Sequence, residues 1–125
     1  MNPIAQAAAL LAAAIHVLIF ILESVRFTEP ATYRRFFVET QRDAELLRPI
    51  FFNQGFYNLF LAIGAAGGIL ALNLGYVEAG RALVLFACAS MALAGLILMF
   101  TDRRFVQAGV LQAGPPLVAL VFWSL

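Results

Sequence analysis

Four long apolar runs dominate the chain, at about 4–25, 50–72, 79–100 and 105–125, separated by short polar stretches. Each is close to the roughly 20 residues a helix needs to cross a hydrocarbon core of about 30 Å. The first run is interrupted only by Gln6, His16, Glu23 and Ser24. Alternating period-2 patterns are absent, and backbone groups in lipid must be satisfied within the segment, so the runs read as helices rather than barrel strands. The pattern predicts an all-α integral membrane four-helix bundle forming one domain over 1–125.

The polar stretches predict the connections. In the long one, 27–48, Thr28 is a candidate N-cap with Pro30 near the first turn. Tyr33, Phe36 and Phe37 fall close enough to share one apolar face, which predicts a short amphipathic helix at the membrane surface. Thr40 followed by Asp43 resembles a capping box, and Pro49 is expected to kink the chain into the second span. This loop reads either as a solvated charged boundary or as a lid over a cavity. Asn73-Leu74-Gly75-Tyr76 predicts a tight turn, and Gly114-Pro115-Pro116 predicts a broken or kinked last helix.

Composition adds the solvent. The chain is 63% hydrophobic and 12% charged, against about 45–50% and about 25% in soluble domains. An ordinary soluble domain is therefore excluded, and 125 residues leave no room for a separate one. The basic residues are all arginines, and the net charge of +1 gives no positive excess for nucleic acid. Cys88, among apolar neighbours, reads as a packed small hydrophobe. The start of the chain lacks the basic region of a cleaved signal, so the first run is expected to be a retained anchor.

Arginines also orient the spans. Arg26, Arg34, Arg35, Arg42, Arg48, Arg103 and Arg104 fall in the two loops that share one side, and only Arg81 falls on the other. The positive-inside rule puts the Arg-rich loops in the cytoplasm and both termini outside, a multi-pass membrane topology.

Candidate chemistry lies in the polar residues within the spans, since a charge at the bilayer centre costs about 2.5–3.5 kcal/mol on insertion scales. His16 and Glu23, seven residues apart, return to within about 20° of one face of a straight helix. Glu23 lies near the cytoplasmic end and His16 nearer the middle. Asn53-Gln54-Gly55-Phe56-Tyr57-Asn58 opens the second span with a polar arc of about 140°, and Gln112 adds a polar group in the fourth. Depth counted from the cytoplasmic ends sets Asn53 and Gln54 level with Glu23, and Asn58 nearer His16. Converging faces would line a cytoplasm-facing cavity, with His16 and Glu23 as acid/base groups and Asn53, Gln54, Tyr57, Asn58 and Gln112 as substrate-binding groups. The competing reading is structural: a neutral His16 bonded to a neighbour, Glu23 paired with Arg26, and amides bonding helix to helix. Gly64, Gly67, Gly68, Ala92 and Gly95 favour that close packing.

His16, Glu23 seven later, Pro30 seven after that, the block from Asn53 to Asn58 with Phe60-Leu61-Ala62, and Gln112 before Pro115 and Ala119-Leu120 together resemble a known family. It is the domain of unknown function 1304 family of small bacterial membrane proteins, and the likeness spans nearly the whole chain. The resemblance implies a four-span integral protein of the bacterial inner membrane. Where family members commonly carry an acidic residue before the histidine, this chain has Ile15.

Three functions fit these residues. The favoured one is an intramembrane acid/base enzyme of isomerase or epimerase type, or a binder of a small lipophilic molecule, with the amides stabilising a developing oxyanion. The alternatives are a proton-coupled exporter, which the one-sided arginines oppose in its dual-topology form, and a structural or accessory subunit. The bilayer and a lipophilic small molecule are the expected partners, with a homo-oligomer open. One histidine, one cysteine and scattered carboxylates make no zinc or iron pattern, so neither metal nor cofactor is expected.

Overall fold

The computed structural model describes residues 1–123, which form helices and turns with no strand among them. Helix α1 (Pro3–Phe20) runs directly into a π-helical turn, Ile21–Val25. A short α2 (Pro30–Tyr33) and a 3-10 turn (Arg34–Phe36) precede the long α3 (Gln41–Asn73). Then come α4 (Val77–Thr101), a second 3-10 turn (Arg103–Phe105) and α5 (Val106–Val121). The protein is an all-helical bundle with several long apolar helices, and the chain divides into two compact units: Met1–His16 with Leu61 onward, and Val17–Phe60.

Small side chains hold the first unit together. On α1, Ala5, Ala8, Ala9, Ala12, Ala13 and His16 are buried, a helical-period stripe that ends in the histidine. Ala8 and Ala9 pack with Ile69, Val84, Cys88 and Ala119, while Ala12 and Ala13 pack with Ala62, Ala65, Ala87 and Met91. Two glycine pairs bring backbones into contact. A Cβ on Gly80 would lie 2.7 Å from the Gly68 carbonyl oxygen, and one on Gly68 would lie 2.9 Å from that of Gly80. Gly95 and Gly109 mirror this between α4 and α5, at 2.9 and 2.7 Å. Of the glycines expected to pack, Gly68 and Gly95 do so, Gly64 has ordinary contact with Ala87, and Gly67 faces open space. Gly80 and Gly109 complete the pairs.

The second unit is built from rings and polar groups. Phe27, Tyr33 and Ala44 are buried with Phe36, Val38, Leu47 and Phe51 packed around them. Phe27 stacks on Phe51 with ring centres 4.1 Å apart, and Phe36 meets Phe51 edge-on at 5.1 Å. Ala44, Leu47 and Phe51 share one face of α3 on both sides of Pro49. With that packing on both sides, α3 runs through Pro49, so the helix begins at Gln41, ahead of the apolar boundary near Ile50.

Other local expectations change for equally specific reasons. Thr28 does not cap α2; Glu29 is the residue before it, and Pro30 takes the first helical position. Tyr33 and Phe36 share the apolar cluster, but Phe37 leaves it: the chain turns left-handed there (φ 62°) and the ring is 43% exposed. Thr40 does cap α3, its Oγ1 accepting from the Asp43 amide at 3.1 Å. Gly75, at φ 95°, closes the α3–α4 turn in a conformation that favours glycine. α5 is not broken at Pro115 and Pro116, because Gly109, Ala113, Pro116 and Ala119 bury a single face along its length.

Three helical stretches are long and apolar enough to cross a membrane: Pro3–Val25, Gln41–Asn73 and Val77–Thr101. Large apolar side chains such as Leu11, Ile63, Phe86, Ile97 and Phe100 point outward from them, as a lipid solvent requires. α3, about 50 Å long at 1.5 Å per residue, is longer than a bilayer core is thick, and its charged residues fall in its first turns. α5 has 16 residues, about 24 Å, and is shorter than a span needs by itself. Residues 124–125, the end of the expected fourth run, lie outside the described residues.

Candidate functional site

Glu23 is the acidic side chain that the sequence sets inside an apolar run, and it is 3% exposed. It sits in the π turn, where the Arg26 amide bonds back five residues to the Ile21 carbonyl at 2.9 Å. Such single turns recur at functional sites. The turn also voids the straight-helix arithmetic that set Glu23 on one stripe with His16, since rotation per residue falls after Phe20.

One neighbour defines the Glu23 environment. Asn58 Nδ2 donates to Glu23 Oε1 at 2.7 Å and, more weakly, to the Gln54 carbonyl at 3.3 Å. Among the described residues Glu23 has no ion pair: Arg26 instead meets Glu29, at 3.9 Å and in the open, which removes the expected Glu23–Arg26 pair. Beside it, the Ser24 hydroxyl donates to the Phe52 carbonyl at 2.7 Å. Gly55 makes this approach possible, since a Cβ there would collide with the Ser24 hydroxyl and lie 3.1 Å from its amide nitrogen. Phe56 closes the flank, with Phe20 edge-on at 5.0 Å and Phe52 at 5.1 Å.

The amide block therefore divides. Asn58 reaches Glu23, whereas Asn53 and Gln54 are exposed and Tyr57 is 60% exposed. Residues 52–55 lie beside Ser24, close to the level of Glu23 as the depth count expects, and Asn58, expected nearer His16, reaches Glu23 as well. Nothing at the apolar boundary near Ile50 fixes that register; the Gly55–Ser24 approach does. His16 and Gln112 belong to the other unit. His16 is 1% exposed, and its Nδ1 lies 2.8 Å from the Ala12 carbonyl oxygen. A carbonyl only accepts, so Nδ1 carries a proton in this bond. Gln112 is half-buried on α5.

Ser24 and Gly55 are the residues that sequence reasoning passed over. Each stood next to a residue it singled out, and small size at adjoining positions was the available signal.

A carboxyl with one neutral amide donor and no cation can both receive and return a proton without breaking an ion pair, which is what acid/base chemistry in an apolar setting demands. A second opening lies nearby. A hollow of about 370 Å³ is lined by Ser24, Val25, Phe27, Thr28, Glu45 and Arg48, none of them a residue expected to bind substrate.

Neither the curated proteins nor the solved structures contain a match to this chain. A family profile described as "Protein of unknown function (DUF1304)" does match, over residues 10–124. With nearly its whole length covered, the chain belongs to the DUF1304 family of proteins of unknown function.

Proposed function

We propose that this is a multi-pass inner membrane protein in which Glu23 and Asn58 form an intramembrane acid/base site for a small lipophilic molecule, with chemistry of the isomerase or epimerase kind. The observation behind this reading is the hydrogen bond from Asn58 to a carboxyl that is buried in a π turn and has no counter-cation among the described residues. Glu23 would take a proton from carbon and return it to the same or a neighbouring carbon. Asn58 holds the carboxyl in place while the proton is away and can share its second N–H with a developing oxyanion. His16, with Nδ1 bonded to Ala12, is the second proton-handling group of the chain.

Topology is part of the proposal. Seven arginines flank one side and Arg81 the other, which favours cytoplasmic Arg-rich loops and outside termini, with α5 as a fourth, short crossing. Arg81 lies 5.8 Å from the Trp123 ring centre, an interfacial pairing suited to the outer boundary. The Glu23 site would then sit at the cytoplasmic end of the first span.

The reading is tested by incubating membranes that contain the wild-type protein or Glu23→Gln with lipid extracts and separating the isomers. Wild type should change the isomer composition and Glu23→Gln should not. Equal change with both proteins removes Glu23 from the mechanism.

A further inference from the structure

The hollow beside the Glu23 site has a chemistry of its own. Its walls carry one anion, Glu45, and one cation, Arg48, three residues apart on α3 and so about 4.5 Å apart along the helix axis. That spacing suits ion pairing within the helix. Yet neither side chain forms an ion pair with another residue among those described, and Glu45 takes only a long hydrogen bond, 3.5 Å, from Gln41. Both are exposed. Opposite them are the hydroxyls of Ser24 and Thr28. Ser24 spends its proton on the Phe52 carbonyl, so its oxygen remains as an acceptor. Among the lining residues, Val25 exposes a large apolar surface.

We infer that this hollow binds the headgroup of a zwitterionic phospholipid carrying a primary ammonium, with the phosphate on Arg48, the ammonium on Glu45 and the Ser24 oxygen, and the acyl chains leaving past Val25. The inference rests on the membrane orientation proposed above, which brings 24–28 and 45–48 to the cytoplasmic headgroup layer. Three features select the ligand. A cation and an anion left unpaired side by side match a zwitterion, whereas an anionic headgroup would meet the repulsion of Glu45. Arg48 presents the forked donors that phosphate oxygens accept. A primary ammonium has three N–H donors for the acceptors here, while a quaternary ammonium has none and needs an aromatic cage. The one aromatic in the wall, Phe27, is buried and stacked on Phe51, so no cage exists.

The full-length protein is purified in detergent, exchanged with phosphatidylethanolamine, phosphatidylcholine or phosphatidylglycerol, and the retained lipid is counted by native mass spectrometry. Wild type should retain the ethanolamine lipid about tenfold better than the other two. Glu45→Gln should abolish its advantage over the choline lipid, and Arg48→Gln should lower retention of all three. Both side chains are exposed, and unchanged circular dichroism confirms that each variant folds. Soluble phosphoethanolamine separates the sources. Displacement only at large excess assigns the site to the lipid; displacement at equal concentration keeps the zwitterion chemistry but makes a soluble molecule the ligand. Equal retention of ethanolamine and choline lipids by wild type, or an unchanged preference in Glu45→Gln, overturns the inference. If the chain carries no lipid of any class and partitions into buffer, the membrane orientation falls with it; if lipid is bound without preference, only the headgroup site falls.

Discussion

The two units of this protein are held together by opposite means. From Met1 to His16 and from Leu61 onward, alanine and glycine dominate the contacts, and helix backbones touch at Gly68–Gly80 and Gly95–Gly109. Between Val17 and Phe60 the contacts are phenylalanine rings and side-chain hydrogen bonds, including Asn58 to Glu23 and Ser24 to the Phe52 carbonyl. The difference shows how a small apolar chain can divide its labour. Without a hydrophobic driving force between helices in lipid, close van der Waals approach has to supply the association, and only small residues permit it. Polar groups there would add little that packing does not. Where polar groups are concentrated instead, they mark a place where proton exchange or ligand recognition is possible.

The contrast can be broken most forcefully at the glycine pairs. Gly80→Val should destabilise the protein by about 1–3 kcal/mol or more, because the new atoms meet the Gly68 carbonyl and backbone at Leu72, neither of which can rotate away. Gly67→Ala, which meets nothing within 4 Å, should be neutral or stabilising by up to about 1 kcal/mol. Denaturant titration in detergent micelles distinguishes the two, and equal effects would mean that the backbone contact is not what matters.

Glu23→Ala comes next. It leaves the Asn58 amide without its main acceptor, at a cost of about 1–3 kcal/mol, whereas Glu23→Gln keeps an acceptor oxygen and should stay within about 1 kcal/mol of wild type. A stability loss in Glu23→Gln as large as that in Glu23→Ala would favour a purely structural carboxylate.

Gly55→Ala should cost about 1 kcal/mol, since the Ser24 hydroxyl must rotate away and lose its bond to the Phe52 carbonyl. Adding Ser24→Gly should restore much of the packing, and a double variant no more stable than Gly55→Ala would count against this contact. The smallest effect belongs to Asp102, outside both kinds of contact. Hydrogen bonds from the Arg104 side chain and then its amide hold the Asp102 carboxyl below the usual carboxylate range. A lowered value stabilises the fold above the unfolded carboxyl's range and is lost as pH falls through the folded one. Acid titration of Asp102→Asn should therefore differ from wild type only slightly, and only by losing less stability at low pH.

Much of the contrast was legible in the sequence. The apolar runs specify helices because nothing else satisfies backbone groups in lipid, and Glu23 and Asn58 stand out because polar side chains in such runs are rare. What was not legible came from tertiary contacts. Continuity through Pro49 depends on Ala44, Leu47 and Phe51 packing together across it, and continuity through Pro115 and Pro116 depends on a buried face shared along α5. The π turn has no signature in Ile21–Val25, and without it the angle between His16 and Glu23 could not be counted correctly. Gly80 and Gly109 matter through partners distant in sequence, Gly68 and Gly95, which nothing in their own neighbourhoods marks.

The central claim is that Glu23 moves a proton on a lipophilic molecule, and proton return from solvent leaves an isotopic mark. Membranes containing wild type, Glu23→Gln or no added protein would be incubated with lipid extract in deuterated water and the extract analysed by mass spectrometry. The account predicts a molecule gaining one mass unit with wild type and remaining unlabelled with Glu23→Gln at equal protein stability. Equal labelling by wild type and Glu23→Gln, or no labelling above the protein-free membranes, contradicts it.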